Sequence, residues 1–92
     1  MKYMYRPAAG GLSEAMAYAK EFPDLESLLD YVAAQGVDET WGQMYSREDL
    51  VLGDWVKDDD RIGWKNCRYV VLTRYGLTKG RFAIGTMGEI PE

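Results

Sequence analysis

The chain has 92 residues, of which 47% are hydrophobic and 28% charged, and its 15 acidic and 11 basic side chains leave a formal net charge of −4. That length makes one domain, 1–92, able to bury roughly 60–65% of the surface of the unfolded chain. A single cysteine, Cys67, and the absence of histidine exclude an internal disulfide and the usual zinc and haem ligand sets.

Lys2, Tyr3, Met4, Tyr5 and Arg6 read as a short strand stopped by Pro7, and the glycine-containing stretch behind it as a flexible connection. Ser13 followed by Glu14, Ala15, Met16 and Ala17 predicts a first helix, cut short by Phe22-Pro23. Asp24 caps a second helix in which Leu25, Leu28, Leu29 and Val32 recur at spacings of three and four, with Gly36 as its stop. Glu26 and Asp30 lie one turn apart on its exposed side, a like-charge pair costing about 0.2–0.5 kcal/mol.

Residues 37–44, with Trp41 and Gly42, show no clear period and read as loop or a single turn. Residues 50–56 and 64–74 read as strands that pair antiparallel, and the polar residues 57–63 ending in Gly63 form the hairpin connection between them. Tyr69, Val70, Val71 and Leu72 are apolar at successive positions, as a central strand with both faces covered requires. Tyr69 and Phe82 are therefore expected in the core. A turn over residues 75–80 and a strand over 81–86 complete a meander. The fold class expected is α+β, a three- or four-stranded antiparallel sheet with two or three helices packed on one face.

Charge is segregated along the chain. Between Ser13 and Asp60 acids outnumber bases 13 to 3, whereas from Arg61 onward six bases face two acids, and Lys2 and Arg6 add two more bases. A polarised molecule of this kind attracts and orients a charged partner.

Catalysis finds no support. Without histidine no Cys-His or Ser-His arrangement is possible, and Cys67, within the strongest strand and sharing a face with Tyr69 and Val71, reads as a small buried hydrophobe. Asp58, Asp59 and Asp60 are contiguous rather than spaced around a glycine as in calcium loops, so they read as a solvated turn and no metal is expected. No phosphate-binding glycine motif occurs, and no cofactor is expected. The pI of about 4.8 weighs against direct nucleic-acid binding. The acidic segment points instead to a basic protein surface built to hold phosphates.

The strings Met1-Lys2-Tyr3-Met4-Tyr5-Arg6-Pro7, Leu12-Ser13-Glu14-Ala15-Met16, Glu21-Phe22, Asp60-Arg61-Ile62-Gly63-Trp64, Tyr69-Val70-Val71, Arg74-Tyr75-Gly76 and Ala83-Ile84-Gly85 together resemble a group of small proteins carried by phages and integrative elements of bacteria. The link between Tyr75-Gly76 and Ala83-Ile84-Gly85 is shorter here than is usual in that group. Small acidic proteins of mobile elements resemble one another in role as inhibitors of host defence, anti-CRISPR proteins among them.

The expectation that follows is a non-enzymatic inhibitor, an anti-CRISPR protein that blocks a nucleic-acid-binding surface of a type I surveillance complex through an acidic, DNA-mimic-like face. Its contacts are Glu26, Asp30, Asp54, Asp58, Asp59 and Asp60, with Glu48 and Asp49 next, and its partner is a CRISPR effector subunit. The other expectation is a regulatory interaction module of the mobile element, anchored by aromatic groups around Trp41 and Tyr45. In either case the protein is expected to be a cytoplasmic monomer. Residues 1–6 lack the apolar stretch and cleavage site of a signal peptide, and no apolar run approaches a membrane span.

Overall fold

The computed structural model describes residues 1–8, 19–35, 46–75 and 77–91. Its elements are β1 (Lys2–Pro7), β2 (Lys20–Phe22), α1 (Leu25–Gln35), a 3₁₀ turn (Arg47–Asp49), β3 (Leu50–Trp55), β4 (Lys65–Tyr75) and β5 (Thr78–Ile90). The short helix expected after Ser13 and the aromatic pair Trp41 and Tyr45 lie outside the described residues.

The strands form one sheet in the order β2-β1-β5-β4-β3, and every neighbouring pair is antiparallel. This corrects the expected fold class in two respects. The sheet has five strands rather than three or four, and one α-helix with one 3₁₀ turn replaces the two or three helices expected on its face, among the described residues. The extra strand is β2. Three residues carry no readable alternation, and Lys20, Glu21 and Phe22 are extended because Tyr5, Met4 and Tyr3 of β1 supply the backbone partners.

The helix is built as its sequence requires. Asp24 accepts a hydrogen bond from the Ser27 N–H at 2.7 Å, satisfying one of the amides that a helix N-terminus leaves without a partner. Leu28, Leu29 and Val32 then bury one stripe against Tyr5, Leu50, Val70, Leu72 and Met87 of the sheet, each buried aliphatic side chain contributing about 1.5–3 kcal/mol. Phe22 meets Tyr31 with ring centroids 5.2 Å apart, which ties β2 to the helix.

Strand β5 is more than twice as long as the strand expected over 81–86. Its glycines are places where rings lie on the backbone. A side chain on Gly85 would run into the Tyr5 ring, and one on Gly88 would begin 2.7 Å from the Trp64 ring. Trp64, Cys67 and Val71 are buried but do not belong to the helix-side cluster. Tyr69 and Phe82, expected inside, are exposed. The register pairs Tyr69 with Thr86, and the tyrosine opens to solvent because no second helix covers that face among the described residues.

Candidate interaction surface

The carboxylates picked out from the sequence separate into those the fold consumes and those it leaves outward. Glu26 and Asp30, one turn apart on α1, are bridged by Arg47 from the 3₁₀ turn. Its Nη2 lies 2.8 Å from Glu26, and its Nε lies 3.4 Å from Asp30 without hydrogen-bond alignment. The like-charge pair expected on a bare helix face is thus part of a three-membered ion cluster. Ser46 holds Arg47 in place by capping the turn, its hydroxyl accepting from the Glu48 N–H at 3.3 Å.

The turn over residues 58–60 is consumed more completely. Asp58 accepts from the Asn66 N–H at 2.8 Å, and Asn66 has a φ of 51°, a left-handed conformation that asparagine tolerates better than most residues. Asp59 is mainly buried, its side chain only 10% exposed, and pairs with Arg6 from β1 at 3.5 Å and with Arg61 at 3.3 Å. Asp60 pairs with Lys65. The Arg61 hydrogen bond, and then Arg6, hold the Asp59 carboxyl below its ordinary value against the opposing effect of desolvation. The Lys65 ammonium is held above its ordinary value by Asp60. Asp59 and Asp60 therefore close on the three bases Arg6, Arg61 and Lys65, which offsets locally the segregation seen along the chain, while Asp58 is taken up by a backbone amide. With each carboxylate directed to its own partner, no group of three possible metal ligands converges among the described residues.

Glu48, Asp49 and Asp54 are different. None has an ion-pair or hydrogen-bond partner for its side chain among the described residues, and all three flank or belong to β3, the edge strand of the sheet. The same strand exposes Val51 and Trp55, at 37% and 64%, and Tyr69 on neighbouring β4 adds an aromatic at 42%. Val51 pairs with Val71 in register. A side chain on Gly53 would begin 2.7 Å from Val71 and 3.4 Å from Tyr69, so Val51, Gly53, Tyr69 and Val71 share the face opposite the helix. A bulge between Leu52 and Trp55 turns the end of β3, and Arg68 Nε fixes it by donating to the Gly53 carbonyl at 2.9 Å. The sequence reading named Asp54 but passed over its neighbour Trp55, although a tryptophan beside an acid at a strand end is a signal of exposure.

Two other features carry less. Cys67 is buried, and burial pushes its thiol up from the ordinary value, which keeps it protonated. An open hollow of about 310 Å³ beside β2 is lined by Met1, Lys2, Glu21, Phe22 and Pro23, where Lys2 and Glu21 form an ion pair at 3.0 Å.

Comparison of the chain with protein-family models, with curated proteins and with solved structures found no match. The class its own geometry defines is a small α+β domain, a five-stranded antiparallel sheet carrying one described helix. No helix among the described residues is long and apolar enough to cross a membrane.

Proposed function

We propose that the protein is a non-enzymatic inhibitor that binds a basic protein surface through the β3 edge, with Trp55 as its anchor and Glu48, Asp49 and Asp54 as its charged contacts. The observation that carries this reading is the coincidence, along one edge strand and the turn that leads into it, of carboxylates unpaired among the described residues with an exposed tryptophan. Aromatic anchors of that kind supply most of the energy at protein interfaces, while carboxylates around them set the approach and the register. The likeness of its strings to small proteins of phages and integrative elements makes a nucleic-acid-handling defence complex, such as a type I CRISPR surveillance complex, the first partner to test. The five other candidate carboxylates, Glu26, Asp30, Asp58, Asp59 and Asp60, are held in ion pairs or by a backbone amide and contribute through the fold rather than by contact, with the exception of any face that Glu26 still offers beside Arg47.

The test is plasmid interference in a host with an active type I system, together with affinity for the purified complex. Expected is protection by the wild-type protein, at least tenfold weaker binding for Trp55→Ala, and weaker, salt-dependent binding for the pair Glu48→Gln and Asp54→Asn. Absence of protection removes the CRISPR assignment. Wild-type affinity in the Trp55→Ala protein removes the β3 edge from the account.

A further inference from the structure

The β4–β5 hairpin has a feature that the β3 edge does not explain. Beyond Leu72 on β4, paired with Leu50, and beyond Gly85 on β5, paired with Pro7, neither strand has another strand beside it among the described residues. The hairpin continues as a two-stranded ribbon through Arg74↔Lys79 to Tyr75↔Thr78. Residues 66–88 contain Arg68, Arg74, Lys79 and Arg81 and no acid at all. Arg74, Lys79 and Arg81 are exposed, and none of them has a carboxylate partner among the described residues. What sets the ribbon apart is that its three unpaired bases stand in a segment that holds no acid to pair with them.

The register adds a second, independent observation. Arg74 and Lys79 are directly opposite each other across the two strands, and like charges in that position destabilise a sheet. A cross-strand acid would have stabilised the hairpin, so the arrangement is costly for folding and suited to a polyanion that neutralises both charges at once. Leu77, at the end of the ribbon, is fully exposed. A lone leucine at the tip of a basic ribbon has the chemistry of an apolar wedge between base steps, and a two-stranded ribbon has the width that a duplex major groove admits.

We infer that the β4–β5 hairpin is a nucleic-acid-binding arm whose Arg74, Lys79 and Arg81 take the phosphate backbone of a duplex, with Leu77 leading. This departs from the expectation drawn from the pI, because a net charge of −4 averages over the whole chain, whereas residues 66–88 carry bases and no acid. Its test is separate from that of the β3 reading, although the Arg81 guanidinium lies beside Gly53 of β3. Where both hold, the protein addresses a nucleoprotein, the edge strand meeting protein and the arm meeting nucleic acid.

Fluorescence anisotropy with a labelled mixed-sequence DNA duplex, the matching RNA duplex and poly-glutamate as competitor tests the arm. With three phosphates neutralised, raising salt from about 50 to about 200 mM should weaken duplex binding by roughly 40-fold. Replacing Arg74, Lys79 and Arg81 by Gln should abolish both the binding and its salt dependence, with thermal stability unchanged or raised. Leu77→Ser should weaken binding several-fold without altering the salt slope. Glu48→Gln with Asp54→Asn should leave duplex binding intact or tighten it, which separates failure of the arm from failure of the β3 edge. No binding of either duplex at the lower salt, binding by the triple variant equal to wild type, or competition by poly-glutamate as strong as by the duplex overturns the assignment. The last of these outcomes makes the arm a site for an acidic protein.

Discussion

The Arg6 guanidinium lies over the Trp64 ring, its central carbon 4.9 Å from the ring centroid, while its Nη1 reaches the Asp59 carboxylate at 3.5 Å. One side chain from the first strand is thereby held between an aromatic face and an acid that lie more than fifty positions further along. Trp64 in turn exchanges two backbone hydrogen bonds with Asp59, both 3.0 Å long, and its ring lies on Gly88 of β5. The acidic turn is fastened to the sheet by these contacts, and the Asp59 carboxylate is directed inward while Asp60 stays exposed.

The fastening has a pH signature. Asp59 titrates below its ordinary value of 3.8 because Arg61, and after it Arg6, favour the charged form. The unfolded chain then binds this proton at a higher pH than the native protein does. The stabilisation is present in full above the unfolded value and is lost as pH falls through the native one. Asp59→Asn should cost about 1 kcal/mol at neutral pH, as for a net hydrogen bond. It should also flatten the decline in stability below about pH 4. Urea titrations at neutral pH and at pH 3 measure both effects, and equal slopes in the two proteins would remove Asp59 from acid unfolding.

Gly85 and Gly88 give a steric prediction. Each faces a ring, Tyr5 for the first and Trp64 for the second, and Tyr5 also donates from its hydroxyl to the Ile84 carbonyl at 3.2 Å. Alanine at either position forces the ring away from its packed place, at a cost of about 1–3 kcal/mol. Gly63, with φ of 73° and open space around it, answers to conformation alone. Thermal melts of the three alanine variants check this, and the combination Gly85→Ala with Tyr5→Leu should recover part of the loss, whereas Gly63→Ala has no ring to relieve.

Cys67 is buried and its thiol is pushed up by that burial, with the Asp59 backbone hydrogen bond and Arg6 opposing more weakly. A thiol reagent should therefore label the native protein far more slowly than the urea-unfolded chain, at a rate set by opening of the fold. Cys67→Ser should fold and bind like wild type with a loss of about 1–3 kcal/mol from burying a hydroxyl. Rapid native labelling accompanied by loss of binding in the serine protein would restore chemistry to this position.

How much of this was legible along the chain varies by element. The helix from Leu25, the β3–β4 hairpin around residues 57–63 and the buried Cys67 rest on local signals, namely a cap, a 3.6-residue period, a turn with glycine and an apolar position in a strand. Those signals act between neighbours, so the sequence alone determined them. It also determined that no histidine-based site exists.

The tertiary structure decided the rest. Strand β2 exists because β1 offers it a backbone edge, and β5 runs through Gly85 and Gly88 because rings from distant residues need the space their missing side chains leave. The fate of the charges could not be read either. Acids crowded between Ser13 and Asp60 look like one negative face when counted along the chain. Coulomb attraction falls with distance in space rather than along the sequence, and the fold carries Arg6, Arg61 and Lys65 to Asp59 and Asp60, and Arg47 to Glu26 and Asp30. Which charges stay without an ion-pair partner among the described residues, among them carboxylates beside Trp55 and bases on the β4–β5 ribbon, was decided by which partners the fold brought within reach.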